Sequence, residues 1–182
     1  MAYSVLIPEA IAAMNIDSLN RHVIDYGASA SAIENGNIFQ LATKHTSGSL
    51  TEVWELAQPS AGSPTNCWMA YSGDEIPVTA SKYKGLDPDP RSFRSEANKV
   101  FSAYKPQVGD IILLTADAFS NSFSSHTHAH AVISSFKLTW DVNDGGLTGL
   151  TYKYLATKYI SIATGGIDNQ RVTAYELECV SV

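Results

Sequence analysis

The sequence predicts a mainly β protein, a single antiparallel β-barrel or sandwich with one short helix and an N-terminal arm. Two observations favour this class. From Ala28 onward, short runs of β-branched and aromatic residues alternate with turn residues. Charged residues make up only 16% of the chain, below the usual quarter or so, and small polar residues replace them. That exchange is common in β-rich proteins of extended assemblies.

The first 27 residues differ from the rest of the chain. Pro8-Glu9 is suited to open a helix through Met14, so helix and extended chain are equally good interpretations here. We therefore expect an N-terminal arm over 1–27 and a single β-rich domain over 28–182.

Strands are predicted next along the chain. Asn35-Gly36-Asn37 separates Ser29–Glu34 from Ile38–Thr43 as the turn of a hairpin would. Two further strands are predicted, at Thr51–Ala57 and Asn66–Ser72. Trp54 and Trp68 are the expected core residues of these strands.

A proline-rich loop over 85–91 interrupts the strands. Asp89 is suited to cap a helix that ends at Lys105-Pro106. Its apolar residues, at helical spacing, are Phe93, Ala97, Val100 or Phe101, and Tyr104. The almost wholly apolar run Ile111–Thr115 that follows predicts a central strand.

Three long β-prone stretches complete the chain. They are His126–Val142, Leu147–Ala163 and Gln170–Val182, and glycine-rich turns separate them. Strands this regular indicate a meander that closes into a barrel or sandwich, because a lone sheet would leave one face and two edges unprotected.

The histidines His126, His128 and His130 are the sharpest local feature. They occupy alternate positions of a predicted strand, so all three point to one face. The Cα atoms of adjacent histidines would lie about 7 Å apart, which allows two imidazoles to bind one metal ion, whereas the outer pair is too far apart to share it. A full site therefore needs further ligands. Other strands would supply them in a cupin-like metalloenzyme, and symmetry-related chains in a trimeric phage fibre. Alternatively, the histidines are solvated while Thr127, Ala129 and Ala131 face inward.

Other chemistry has little support in the sequence. No nucleophile elbow, phosphate-binding loop, dinucleotide fingerprint or Cys-x-x-Cys motif occurs, so we expect no enzyme and no cofactor beyond the metal ion at the histidines. Cys67 and Cys179 lie in apolar contexts that predict buried, reduced thiols. The net charge of −6 argues against nucleic acid or an anionic membrane as partner. No apolar run is long enough for a transmembrane helix, and the start lacks a signal-peptide pattern.

Half of the basic residues lie within one span, 82–105. Those we expect at a contact with an acidic partner surface are Lys82, Lys84, Arg91 and Arg94. A solvated helix face explains the same pattern equally well.

The middle of the chain resembles small head proteins of tailed bacteriophages, the decoration or cement proteins. The matching segments are Gly36–Leu41, Thr51–Leu56, Trp68-Met69, Tyr83–Phe93 and Phe101–Thr115. Together they span 36–118, about half of the chain. The C-terminal strands and the histidines lie outside this range.

The resemblance implies a structural protein of the virion that binds the outer surface of the head and stabilises its lattice. Its partner would be the major capsid protein, and it would act as a trimer, made in the host cytoplasm. The contact regions would be Tyr83–Arg94 and the N-terminal arm. The alternative functions are a trimeric phage fibre or attachment module with a His-x-His metal site and, less favoured, a cupin-like metalloenzyme.

Overall fold

The computed structural model describes residues 4, 6, 21–24, 33–44, 53–60, 64–71, 100–142, 147–163 and 169–182. The predicted mainly β class is confirmed. The strands are β1 (Arg21–Ile24), β2 (Ile38–Lys44), β3 (Trp54–Ala57), β4 (Cys67–Ala70), β5 (Val100–Tyr104), β6 (Ile111–Thr115), β7 (His128–Ala131), β8 (Leu138–Asp141), β9 (Thr151–Ala163) and β10 (Asn169–Ser181). A single 3-10 turn, Ala116–Ala118, follows β6.

The first five strands form one sheet whose pairs run in a ring, in the order β1-β3-β2-β4-β5 and back to β1. All pairs are antiparallel except β1 with β3, which is parallel. The last five strands form a second, open and antiparallel sheet in the order β6-β10-β9-β7-β8.

Strand β4 and the start of β2 are buried on both faces. Phe39, Trp68 and Phe101 point into the ring, where the rings of Phe39 and Phe101 meet edge to face at 5.6 Å. Their strand neighbours Ile38 and Met69 point the other way and pack against the second sheet. The two sheets therefore share a core in a sandwich-like arrangement. Successive residues of β2 and β4 point alternately into the ring and into this shared core.

The helix predicted to end at Lys105-Pro106 is wrong for its last part, because a strand with buried residues on both faces was mistaken for a helix. Its first part, through Lys99, lies outside the described residues, but Val100–Tyr104 is strand β5. Phe101 and Ala103 face the interior of the ring and Tyr104 faces the second sheet. A strand that is buried on both faces has apolar residues at spacings that also fit a helix.

Ile38–Lys44 is a strand, as predicted, and pairs with β3 and β4. Its predicted hairpin partner, Ser29–Glu34, lies mostly outside the described residues. Two further expectations need correction. The stretch His126–Val142 contains two short strands, β7 and β8, that form a hairpin. Ile111–Thr115 lies at the edge of its sheet, and is apolar because residues on both of its faces are buried.

Both edges of the second sheet are covered. Leu6 is fully buried and pairs with Leu114 on the free side of β6. At the other edge, the side-chain amide of Asn121 donates to the carbonyl of Trp140 and accepts from its N–H, at 3.1 and 2.8 Å. The side chain thereby replaces a neighbouring strand along β8.

The described residues of the predicted N-terminal arm belong to this body. Besides Leu6, the side chain of Ser4 is buried, and its backbone N–H donates to Glu34. β1 closes the ring between β3 and β5. No helix among the described residues is long and apolar enough to cross a membrane.

Candidate functional site

The predicted histidine face exists for two of the three histidines. His128 and His130 lie on β7 and are half-buried, while Ala129 and Ala131 between them point into the core. His126 lies before the strand, where its Nδ1 accepts a hydrogen bond of 2.8 Å from the backbone N–H of Ser124. The alternation that was predicted from the sequence is therefore confirmed only from position 128 onward. Thr127, expected to face inward, is exposed.

Cross-strand neighbours surround His128 with opposite charges. It lies opposite Asp141 of β8 and Lys153 of β9, and Lys153 in turn lies opposite Glu178 of β10. Residues that face each other across a sheet in this way share one surface, so the row alternates in charge. Such a row suits contact with water or with a polar partner.

His130 lies in a drier environment than His128. Its Nδ1 is buried and has no hydrogen-bond partner. Burial lowers the pKa of this imidazole, and the negative charge of Asp141 offsets part of that effect. The neutral ring is the form that binds a metal ion.

The described part of the chain does not complete a metal centre. No three of its His, Cys, Asp or Glu side chains lie close enough together to hold an ion. Further ligands for His128 and His130 would have to come from the remaining residues or from another chain. The predicted contact residues Lys82, Lys84, Arg91 and Arg94 lie outside the described residues.

The ionisable groups of the shared core are buried, and they are either hydrogen-bonded within the core or protonated. The Tyr104 hydroxyl donates to Asp110, a fully buried carboxylate that also accepts the backbone N–H of Gln107. Cys67 and Cys179 are free and buried, as predicted, and burial raises the pKa of their thiols to about 11 and about 12. At neutral pH both are protonated and are poor nucleophiles.

A projecting ribbon is the feature that sequence reasoning missed. β9 and β10 have 13 residues each, but β7 pairs only with positions 151–153 and β6 only with positions 174–178. The two strands continue beyond their neighbours as a pair, 159–163 with 169–173, which we call the ribbon. Five residues per strand extend about 17 Å.

The ribbon exposes apolar surface beside charge. Tyr159 is 58% exposed and Leu155, at the base of the ribbon, is 39% exposed. The Arg171 guanidinium lies 4.0 Å from the centre of the Tyr159 ring. Lys158, also at the base, pairs with Glu176 at 3.4 Å. In the sequence, the only indication of the ribbon was the unusual length of the last two β-prone stretches. Length alone does not show which part of a strand lacks a neighbouring strand.

Comparisons of the chain with protein-family models, with curated proteins and with solved structures found no match.

Proposed function

We propose that this protein is a structural component of a bacteriophage virion, a decoration protein that binds the outer surface of the head and stabilises its lattice. It is not an enzyme in this proposal. Its partner is the major capsid protein, it acts as a trimer, and it is made in the host cytoplasm before it joins the capsid exterior.

The ribbon is the observation that supports this proposal best. A lone two-stranded ribbon is marginally stable in water, and exposed apolar side chains on it add to the cost. Contact with a neighbouring subunit would bury Tyr159 and Leu155 and pair the backbone edge of β9 that no described strand occupies beyond Tyr154. A projection from a rigid two-sheet body is suited to bridging adjacent subunits of a lattice.

The sequence resemblance supports the same proposal from a different part of the chain. Within the matched range, 36–118, the described residues form β2 to β6, which build most of the ring and the edge of the second sheet. In this proposal the ring provides the body, and the ribbon and the basic segment Tyr83–Arg94 provide the contacts. Many weak contacts on one lattice add up through multivalency.

Binding to undecorated heads tests the proposal. Purified protein is mixed with heads that lack it, and the heads are pelleted and imaged by electron microscopy. We expect saturable binding at regular lattice positions. Replacing both Leu155 and Tyr159 with serine should weaken that binding by about tenfold or more, since two exposed apolar anchors are lost.

Val142→Ser is the matched control. Val142 is 54% exposed, like Tyr159, but it lies at the end of β8, away from the ribbon. This variant should bind as wild type does. Heads of the cognate phage that bind no wild-type protein would overturn the proposal, and equal loss in both variants would overturn the role of the ribbon.

The paired histidines favour a second candidate, a trimeric fibre or attachment module. His128 and His130 share a face because one residue separates them on β7, and burial favours the neutral form of His130. Three copies around a threefold axis would offer six imidazoles to one octahedral metal ion. Elemental analysis of tag-free protein tests this candidate: one metal ion per trimer, lost in His128→Ala, supports it, and metal-free trimers exclude it.

A further inference from the structure

A cleft opens on the second sheet, and neither the paired histidines nor the ribbon residues line it. Its volume is about 450 Å³, a size that suits a small ligand. The loop after β6 forms one wall, while β8 and β10 form the floor. The lining includes Phe119, Phe123, Trp140, Tyr175, Asp117 and Ser122.

Aromatic rings form the apolar part of the cleft. Phe119 stacks on Trp140, with ring centres 4.3 Å apart and planes inclined by 19°. Phe123 meets Trp140 edge to face at 5.0 Å. Phe119 and Trp140 are almost fully buried, whereas Phe123 is half-buried. Phe123 is therefore the ring with surface left for a ligand, and the rings beneath it hold it in place.

The polar part of the cleft has no strong net charge. Lys137 pairs with Glu34 at 3.5 Å, and its ammonium donates to the backbone carbonyl of Asp117 at 2.8 Å. The carboxylate of Asp117 and the hydroxyl of Ser122 complete the rim. Because a carboxylate has several acceptor sites, Asp117 is able to accept further hydrogen bonds. This rim suits a neutral ligand that is rich in hydroxyl groups.

The wall that presents these groups is fixed in position. The Asn121 amide makes two hydrogen bonds to the backbone of Trp140, and Ser120 bonds the Thr139 hydroxyl at 2.6 Å. Ser120 also donates its backbone N–H to Leu138. A preformed wall reduces the entropy that a ligand has to overcome.

We propose that this cleft binds a neutral saccharide. A sugar ring has an apolar C–H face that packs on an aromatic ring and hydroxyl groups at its rim that pair with carboxylate and hydroxyl partners. Phe123 would pack on the C–H face of the sugar, and Asp117 and Ser122 would pair with its hydroxyl groups. This inference is independent of the capsid proposal, because none of these residues lies on the ribbon.

Titration of the full-length protein with defined oligosaccharides tests the inference. The probes are the neutral tetrasaccharides chitotetraose, cellotetraose and maltotetraose, at up to about 10 mM, which detects millimolar dissociation constants. Sorbitol, a linear polyol, is the control ligand. We expect at least one tetrasaccharide, but not sorbitol, to shift backbone amide signals of 117–123 and the indole signal of Trp140 in a saturable way.

Three variants assign the site. Phe123→Ala and Asp117→Asn should each weaken binding about tenfold, the loss expected for a good stacking contact or a charged hydrogen bond. Val108→Ser changes an exposed apolar side chain that does not line the cleft, and this variant should bind as wild type does. If Phe123→Ala fails to fold, Asp117→Asn decides alone, because Asp117 lines the cleft and the substitution preserves its size.

The inference is overturned if no tetrasaccharide gives a saturable shift at these signals. It is equally overturned if binding occurs but the folded cleft variants retain the wild-type affinity, because the saccharide would then bind elsewhere.

Discussion

The backbone of Gly149 packs directly against the carbonyl group of Pro64. Gly149 has φ +82, and a Cβ on it would collide with the carbonyl oxygen and lie 2.8 Å from the carbonyl carbon. The next residue, Leu150, donates its N–H to the same oxygen at 3.1 Å. This contact joins the start of β9 to the loop that precedes β4, so it links the two sheets outside their shared core.

Gly149→Ala should lower the free energy of unfolding by about 3 kcal/mol, because it combines a left-handed backbone with a backbone collision. Gly36 makes an instructive comparison. It has φ +90, but its added Cβ would meet the end of the Leu114 side chain, at 2.8 Å, which is able to move. Gly36→Ala should therefore cost less, and urea unfolding of both variants measures the difference. Equal losses would contradict the role that we assign to Pro64.

Tyr104→Phe should destabilise the fold by about 2 kcal/mol, since it removes a hydrogen bond to the buried carboxylate of Asp110. Tyr152→Phe is the matched control in the same core. The Tyr152 hydroxyl is buried without a hydrogen-bond partner, so its removal should leave stability unchanged or raise it. Thermal or urea unfolding checks both, and a larger loss for Tyr152→Phe would refute the assignment.

Stability should fall as the pH drops below 6.5, in part through His130. Burial lowers the pKa of its imidazole in the folded state below the ordinary histidine value of about 6.5, so the unfolded chain binds the proton more readily. The contribution is fully present above pH 6.5 and is lost as the pH falls towards the lower folded pKa. His130→Gln should show a smaller loss over this range than wild type does, in unfolding curves measured above and below pH 6.5. An unchanged pH dependence would exclude His130 as a contributor.

Neither thiol should react in the folded protein. Burial raises the pKa of Cys67 to about 11 and that of Cys179 to about 12, and both side chains are almost inaccessible. A thiol reagent such as Ellman's should label both cysteines in denaturant and neither in native buffer at neutral pH. Rapid labelling of the native protein would show that the core opens more easily than this packing indicates.

Local sequence patterns predicted where the strands lie in the chain more successfully than they predicted which strands pair with each other. The sequence indicated β6 at Ile111–Thr115 with the bounds that the structure has, and the last two strands within a few residues. The position of β6 at a sheet edge was not predictable, because its apolar pattern reports burial of both faces and not the number of paired strands. For the same reason, the helical spacing of Phe101 and Tyr104 was misleading.

The candidate sites depended even more on tertiary structure. The alternation at His128 and His130 was visible in the sequence, but the departure of His126 from the strand was not. The aromatic cleft combines Phe123, Trp140 and Tyr175 from a loop and two strands that are far apart in the chain. The sequence offers no local signal for such a set.

The covered edges of the second sheet have a consequence for solubility. Leu6 occupies the outer side of β6 and the Asn121 side chain occupies that of β8, so neither edge is open to a foreign strand where these contacts are made. Along the described part of β9, the Tyr154 N–H still donates to the carbonyl of Thr127, but no described strand pairs with this edge at later positions. Uncontrolled self-association into fibres, if concentrated protein undergoes it, should therefore start at β9 and be suppressed by a single proline at Thr157.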